Sequence, residues 1–94
     1  MKIYNYEGKA NIVGTKIREA RLNQKLSQEE LAIKMQLRNI EFSQKVISRI
    51  EKQERFVADY ELLAFSEVLK LDLYEMFSIE KVPNGEKAIK HTKT

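Results

Sequence analysis

Two serine-led segments constrain this chain more than anything else in it. They are Ser27-Gln28-Glu29-Glu30-Leu31-Ala32 and Ser43-Gln44-Lys45-Val46-Ile47-Ser48-Arg49-Ile50-Glu51. A serine just ahead of a helical apolar pattern offers its hydroxyl to an otherwise unpaired N–H of the first turn. In the first segment Glu30 stands three residues after Ser27, so its carboxylate can reach back to the Ser27 N–H and close a capping box. Each predicted helix has only a narrow apolar set to bury, Leu31, Ala32 and Met35 in one and Ile47 and Ile50 in the other. Their remaining positions carry Gln, Lys, Arg and Ser. Two short helices in succession, the second with long hydrogen-bonding side chains on its outer face, meet the requirement for entering a DNA major groove.

Periodicity predicts three more helices. Val13, Ile17 and Ala20 recur at i, i+4 and i+7, which places a first helix over 13–23. The second runs from Gln28 to 35 or 37, and the third starts after Ser43 and ends near Lys52. Residues 53–58 show no period and read as a loop. Asp59 is then expected to cap a fourth helix over 60–69, whose set Leu62, Leu63, Phe65, Ser66 and Leu69 is broad enough for a central position. Asp72 and Glu75 repeat the capping-box spacing and start a short fifth helix with Leu73, Met76 and Phe77 inward. The expected architecture is all-α, a compact five-helix bundle. Residues 1–11 form an N-terminal arm, 12–78 the helical domain, and 79–94 a basic, flexible C-terminal tail beginning around the breaker cluster Val82-Pro83-Asn84-Gly85.

Composition removes several alternatives. The 94 residues suffice for one domain with one modest core. There is no Cys, hence no disulfide framework and no cysteine-based zinc site. The single His, His91, lies in the polar tail. No nucleophile–base pair, Gly-rich phosphate loop or metal-ligand spacing is present, so the expectation is a non-enzymatic protein without a cofactor. No apolar run approaches the length of a membrane span, and the N-terminus lacks the apolar core of a signal peptide, which predicts a cytoplasmic location.

The net charge of +3 hides a division. Residues 12–52 hold nine Lys/Arg against five Glu, net +4, whereas residues 53–77 hold two basic against six acidic residues, net −4. Both serine-led segments therefore lie in a basic half, as phosphate contacts require.

The order of these residues resembles the phage-repressor/Cro type of helix-turn-helix, the Xre family of regulators. The resemblance is carried by Ile17-Arg18-Glu19-Ala20-Arg21, Leu26-Ser27-Gln28-Glu29-Glu30-Leu31-Ala32, Val46-Ile47-Ser48-Arg49-Ile50-Glu51 and Leu71-Asp72-Leu73-Tyr74-Glu75-Met76-Phe77. It implies a lambda-repressor-like fold, a third helix that reads DNA, and two-fold dimers on palindromic operators. Gln28 matches a residue that touches the DNA backbone and braces the third helix. Arg21 and Glu51 match a pair joined by a salt bridge. One departure stands out: residues 36–42 lengthen the turn between helices 2 and 3 by about five residues relative to the family pattern. Within it Leu37, Ile40 and Phe42 are expected to pack against the neighbouring helices, with Asn39 as a left-handed helix terminus and Phe42 stapled onto Ile47.

The expected function is sequence-specific DNA binding by a transcriptional regulator, most simply a repressor. Gln44, Lys45 and Arg49 are the expected base readers, since Gln pairs bidentately with adenine and Arg or Lys with guanine. Val46, exposed in the expected register, would either meet a thymine methyl or be half-packed on the long turn. Ser43, Ser48 and Lys52 are expected at the DNA backbone. A homodimer would use Phe56, Val57 and Tyr60, with Leu73 and Tyr74 second. The alternative is a protein-interaction or antitoxin-type adaptor that docks a partner on the acidic fourth and fifth helices.

Overall fold

In a computed structural model, residues 6–77, 79–81 and 87–89 are described. Five helices follow in order: α1 (Gly14–Asn23), α2 (Gln28–Gln36), α3 (Gln44–Glu51), α4 (Asp59–Leu69) and α5 (Leu73–Phe77). A strand pair, β1 (Ile79–Lys81) and β2 (Lys87–Ile89), is antiparallel with Ile79 opposite Ile89. That pairing corrects the expectation of a flexible tail for those six residues. The rest of the tail, His91 included, and the first five residues of the arm lie outside the described residues. The arm closes at Tyr6–Lys9 in a tight turn with positive φ at Glu7 and Gly8, and Ala10 N–H donates to Gln53 O at 3.0 Å. Among the described residues no helix is long and apolar enough to cross a membrane.

Local hydrogen bonding explains where the helices start and stop. Ser27 Oγ accepts from Glu30 N–H at 2.9 Å while Glu30 Oε1 accepts from Ser27 N–H at 2.7 Å, which completes the expected box. Asp72 and Glu75 make the same reciprocal pair at 2.7 and 2.9 Å. Ser43 Oγ accepts from Val46 N–H at 3.3 Å. Asp59 is not a cap. Ala58 occupies that position and its N–H is taken by Glu61 Oε1 at 2.9 Å, so Asp59 falls within the first turn instead. After α2 the chain turns through Asn39 at φ 65°, with Asn39 N–H on Gln36 O and Ile40 N–H on Met35 O. These two bonds are a Schellman closure, and Asn39 tolerates the left-handed conformation better than most residues.

The core collects Val13 just ahead of α1, Ile17 and Ala20 from α1, Leu31, Ala32 and Met35 from α2, and Ile47 and Ile50 from α3. Phe42, Ala64, Phe65, Leu69 and Met76 complete it. α1 packs on α3, α4 and α5, and α2 packs on α3 and α4. The breadth of the α4 apolar set misled. Its Ala64, Phe65 and Leu69 are buried, but Leu63 is 56% exposed on the opposite side. Leu73, expected inward, is also exposed. In the long turn Phe42 is buried and Ile40 packs against the core, whereas Leu37 is 80% exposed. Leu37 still follows the phase of α2 and lies one turn beyond the exposed Ile33, on the face opposite Leu31 and Met35.

α1 approaches the end of α3 closely enough to exclude a side chain. A Cβ on Gly14 would sit 2.2 Å from Ile50 O, a backbone atom that cannot swing aside. The same carbonyl accepts from Asn11 Nδ2 at 3.0 Å, and Asn11 Oδ1 accepts from Gly14 N–H at 2.7 Å. Asn11 Nδ2 also reaches Arg55 O at 2.9 Å. One buried amide thus fastens the start of α1 to the chain leaving α3. Gly14→Ala is expected to force the two apart and cost about 1–3 kcal/mol, as overpacking does. Equilibrium denaturation checks this, and an unchanged midpoint would rule the close approach out.

Candidate nucleic-acid interface

The orientation of α3 is set by a chain of hydrogen bonds that begins in the core and ends at the surface. Arg21 projects from α1, on the edge of the stripe that buries Ile17 and Ala20, and meets Glu51 at the last turn of α3. The pair is bidentate, Nε to Oε2 at 2.6 Å and Nη2 to Oε1 at 3.0 Å. Their side chains are only 8% and 2% exposed. Arg21 Nη1 also donates to Leu26 O at 2.7 Å, ahead of α2. Planar guanidinium and carboxylate groups matched in this way resist rotation as well as separation.

Gln28 extends the chain outward. Its Nε2 donates to Glu51 Oε1 at 3.0 Å, and its Oε1 accepts from Gln44 Nε2 at 2.6 Å. The first residue of α2 is thereby tied to both ends of α3. An open depression of about 530 Å³ lies beside these groups, lined by Arg21, Ser27, Gln28, Glu29 and Gln44. Every buried side-chain polar atom among the described residues has a hydrogen-bond partner, so the network is closed internally and its spare capacity faces outward.

The expected site residues divide by position. Lys45 and Arg49 are exposed on the side of α3 away from Ile47 and Ile50. Gln44 is exposed at the first turn on the flank it shares with Ile47 and Glu51, where it meets Gln28, and Lys52 is exposed just past the end of the helix. Arg49 Nη2 makes one long bond, 3.4 Å, to Glu54 O. Ser43 is exposed at the N-terminus of α3, and Ser48 is half-buried. Val46 departs from the expected exposure. It is half-buried and packs against the core, because it flanks the buried stripe one residue before Ile47 and one turn before Ile50. A thymine methyl would reach only part of it.

Three supporting residues escaped the sequence reading. Asn11 is one, because its partners lie 39 and 44 residues away. Arg55 is another: it pairs with the buried Glu61 at 2.9 and 3.3 Å and lies 4.9 Å above the Phe42 ring. Gln36 Nε2 is the third, donating to Phe42 O at 2.8 Å across the long turn. An Asn three residues ahead of a helix was the one legible signal among them.

Comparison of the chain with protein-family models, with curated proteins and with solved structures finds no match in any of the three.

Proposed function

We propose that this protein is a sequence-specific DNA-binding transcriptional regulator of the Xre type, with a lambda-repressor-like helix-turn-helix domain whose α3 reads the major groove. The observation that carries this reading is the Arg21–Glu51–Gln28–Gln44 chain. It locks α3 onto α1 and α2, leaves Lys45 and Arg49 exposed on the outer face, and holds the exposed Gln44 at the edge of that face. Base readout demands side chains that are exposed and also held on a rigid element. The first turn of α2 supplies backbone N–H groups for a phosphate. Gln28, whose amide is already engaged at both ends, keeps one Nε2 hydrogen for the same phosphate. Ser43, Ser48 and Lys52 border the face and contact the backbone. A helix of eight residues covers too few base pairs to find one site in a genome, so two copies bind a two-fold site.

The test is a binding selection from random DNA followed by titration at increasing salt. A preferred, two-fold symmetric sequence is expected, with affinity falling steeply as salt rises because Lys and Arg contacts release counterions. Gln44→Ala and Lys45→Ala should each cost about 1–3 kcal/mol on the selected site and relax preference at one position. Gln28→Ala should lower affinity for all sequences and, by releasing Gln44, also blunt the preference that Gln44 confers. Absence of binding to any DNA at low salt would sink the reading.

The adaptor reading draws on one observation, the exposed Phe56, Tyr60 and Leu63 near Asp59. A face of that kind serves a protein contact, and a DNA-bound dimer needs one too.

A further inference from the structure

α4 presents a surface with two unlike ends. Its outer stripe runs Asp59, Leu63, Ser66 and Lys70, at i, i+4, i+7 and i+11, with Tyr60 and Glu67 along one edge. This stripe is opposite the buried Glu61, Ala64, Phe65 and Leu69. Leu63 is 56% and Tyr60 62% exposed, and Phe56, in the loop just before the helix, is 61% exposed. Leu73, just after the helix, is exposed as well. Two of these large apolar groups, Tyr60 and Leu63, are on α4 itself, and exposed apolar groups near one another mark a contact surface more than isolated ones do.

The charges say what covers it. At one end Asp59 makes no ion pair with another described residue, and at the other neither does Lys70, while Glu67 between them is held by Arg38. An anion and a cation at opposite ends of one stripe, with Leu63 and Ser66 between them, are complementary to the same stripe turned end for end. We propose that this face pairs with a second copy of the chain, α4 antiparallel to α4, about a two-fold axis between Leu63 and Ser66. Asp59 then meets Lys70 of the other copy, twice by symmetry, and Leu63 of each copy packs over Ser66 of the other. Ser66 is suited to lie under an apolar side chain, because its hydroxyl already donates to Leu63 O at 2.6 Å and needs no partner from across the contact. The interface is isologous, as a two-fold DNA site requires. The inference rests on the dimer in the proposed function but is tested without DNA.

Sedimentation of the full chain should give a mass of two copies that falls towards one on dilution. Asp59→Lys turns two attractions into two repulsions and should raise the dimer dissociation constant about tenfold. Lys70→Asp should do the same, and the double swap should restore association, which a folding defect could not do. The chain has no Cys, so a Leu63→Cys chain mixed with a Ser66→Cys chain should form the mixed disulfide in preference to either homodisulfide. A wild-type monomer at all concentrations, or a dimer indifferent to Asp59→Lys and to Leu63→Glu, would overturn the proposal. An intact dimer that binds no DNA would leave this interface standing and remove the regulator reading instead.

Discussion

Replacing either member of the Arg21–Glu51 pair by alanine should produce one of the two largest losses of stability available to a single substitution in this chain. The expected cost is about 3–5 kcal/mol, which in a domain of this size lowers Tm by roughly 12 °C or more. The reason is what remains behind. Arg21→Ala leaves the Glu51 carboxylate, 2% exposed, with only the Gln28 amide as a partner, and strips the Leu26 carbonyl of its donor. Glu51→Ala leaves a guanidinium, 8% exposed, with only the Leu26 carbonyl as an acceptor. Removing both charges together is a different experiment. Arg21→Met with Glu51→Leu eliminates the unpaired charge, and apolar replacements of buried pairs are often nearly neutral. Thermal melts of the two single variants and the double should therefore show a large recovery in the double. Under the proposed function, DNA affinity should not recover with it, since Gln28 then loses the carboxylate that holds it against α3. Equal melting temperatures in all four proteins would show that the pair contributes nothing to the fold.

What was legible in the sequence was local. Ser27 with Glu30, Ser43, and Asp72 with Glu75 act over three residues, and a chain read in order displays such caps directly. Asn39 as the left-handed terminus of α2 belongs to the same class. Burial was less legible, because an apolar side chain reports only its own preference and the partner helices decide which phase of a short helix they cover. Leu37, Leu63 and Leu73 were expected inward and are exposed, while Val46 moved the other way. The residues of the candidate interface were readable by type, yet the bonds joining Gln28 to Glu51 and Gln44 span 23 and 16 residues. Such bonds depend on the finished packing of α1, α2 and α3. The same holds for Gly14, whose lack of a side chain matters only because Ile50 O arrives beside it.

Phe42→Ala should rival the salt-bridge variants, with an expected loss of about 3–5 kcal/mol for truncating a buried aromatic. Phe42 is 4% exposed and stands immediately before the Ser43 cap, while Ile47 on the first turn of α3 is fully buried in the same core. That spacing is the hydrophobic staple, which sets the angle at which a chain enters a helix. The ring is engaged on two further sides. The Phe65 ring of α4 lies 5.8 Å away at 44°, and the Arg55 guanidinium lies over the Phe42 face. Its carbonyl is held by Gln36, so the lengthened turn is fastened at both ends, to α2 through the backbone and to α4 through the side chain. A turn built this way is ordered despite its length, and its amides at 40 and 42 should exchange slowly with solvent. Truncating the ring should lower the melting temperature and, by freeing the start of α3, weaken the proposed DNA binding for all sequences alike, although Phe42 is buried away from the exposed face of α3. Phe42→Leu, which retains bulk without the ring, should recover most of the stability but not the contribution of the Arg55 contact, about 0.5–2 kcal/mol. Rapid exchange throughout the turn, or an unchanged melting temperature in Phe42→Ala, would show it to be a passive loop that α3 does not depend on.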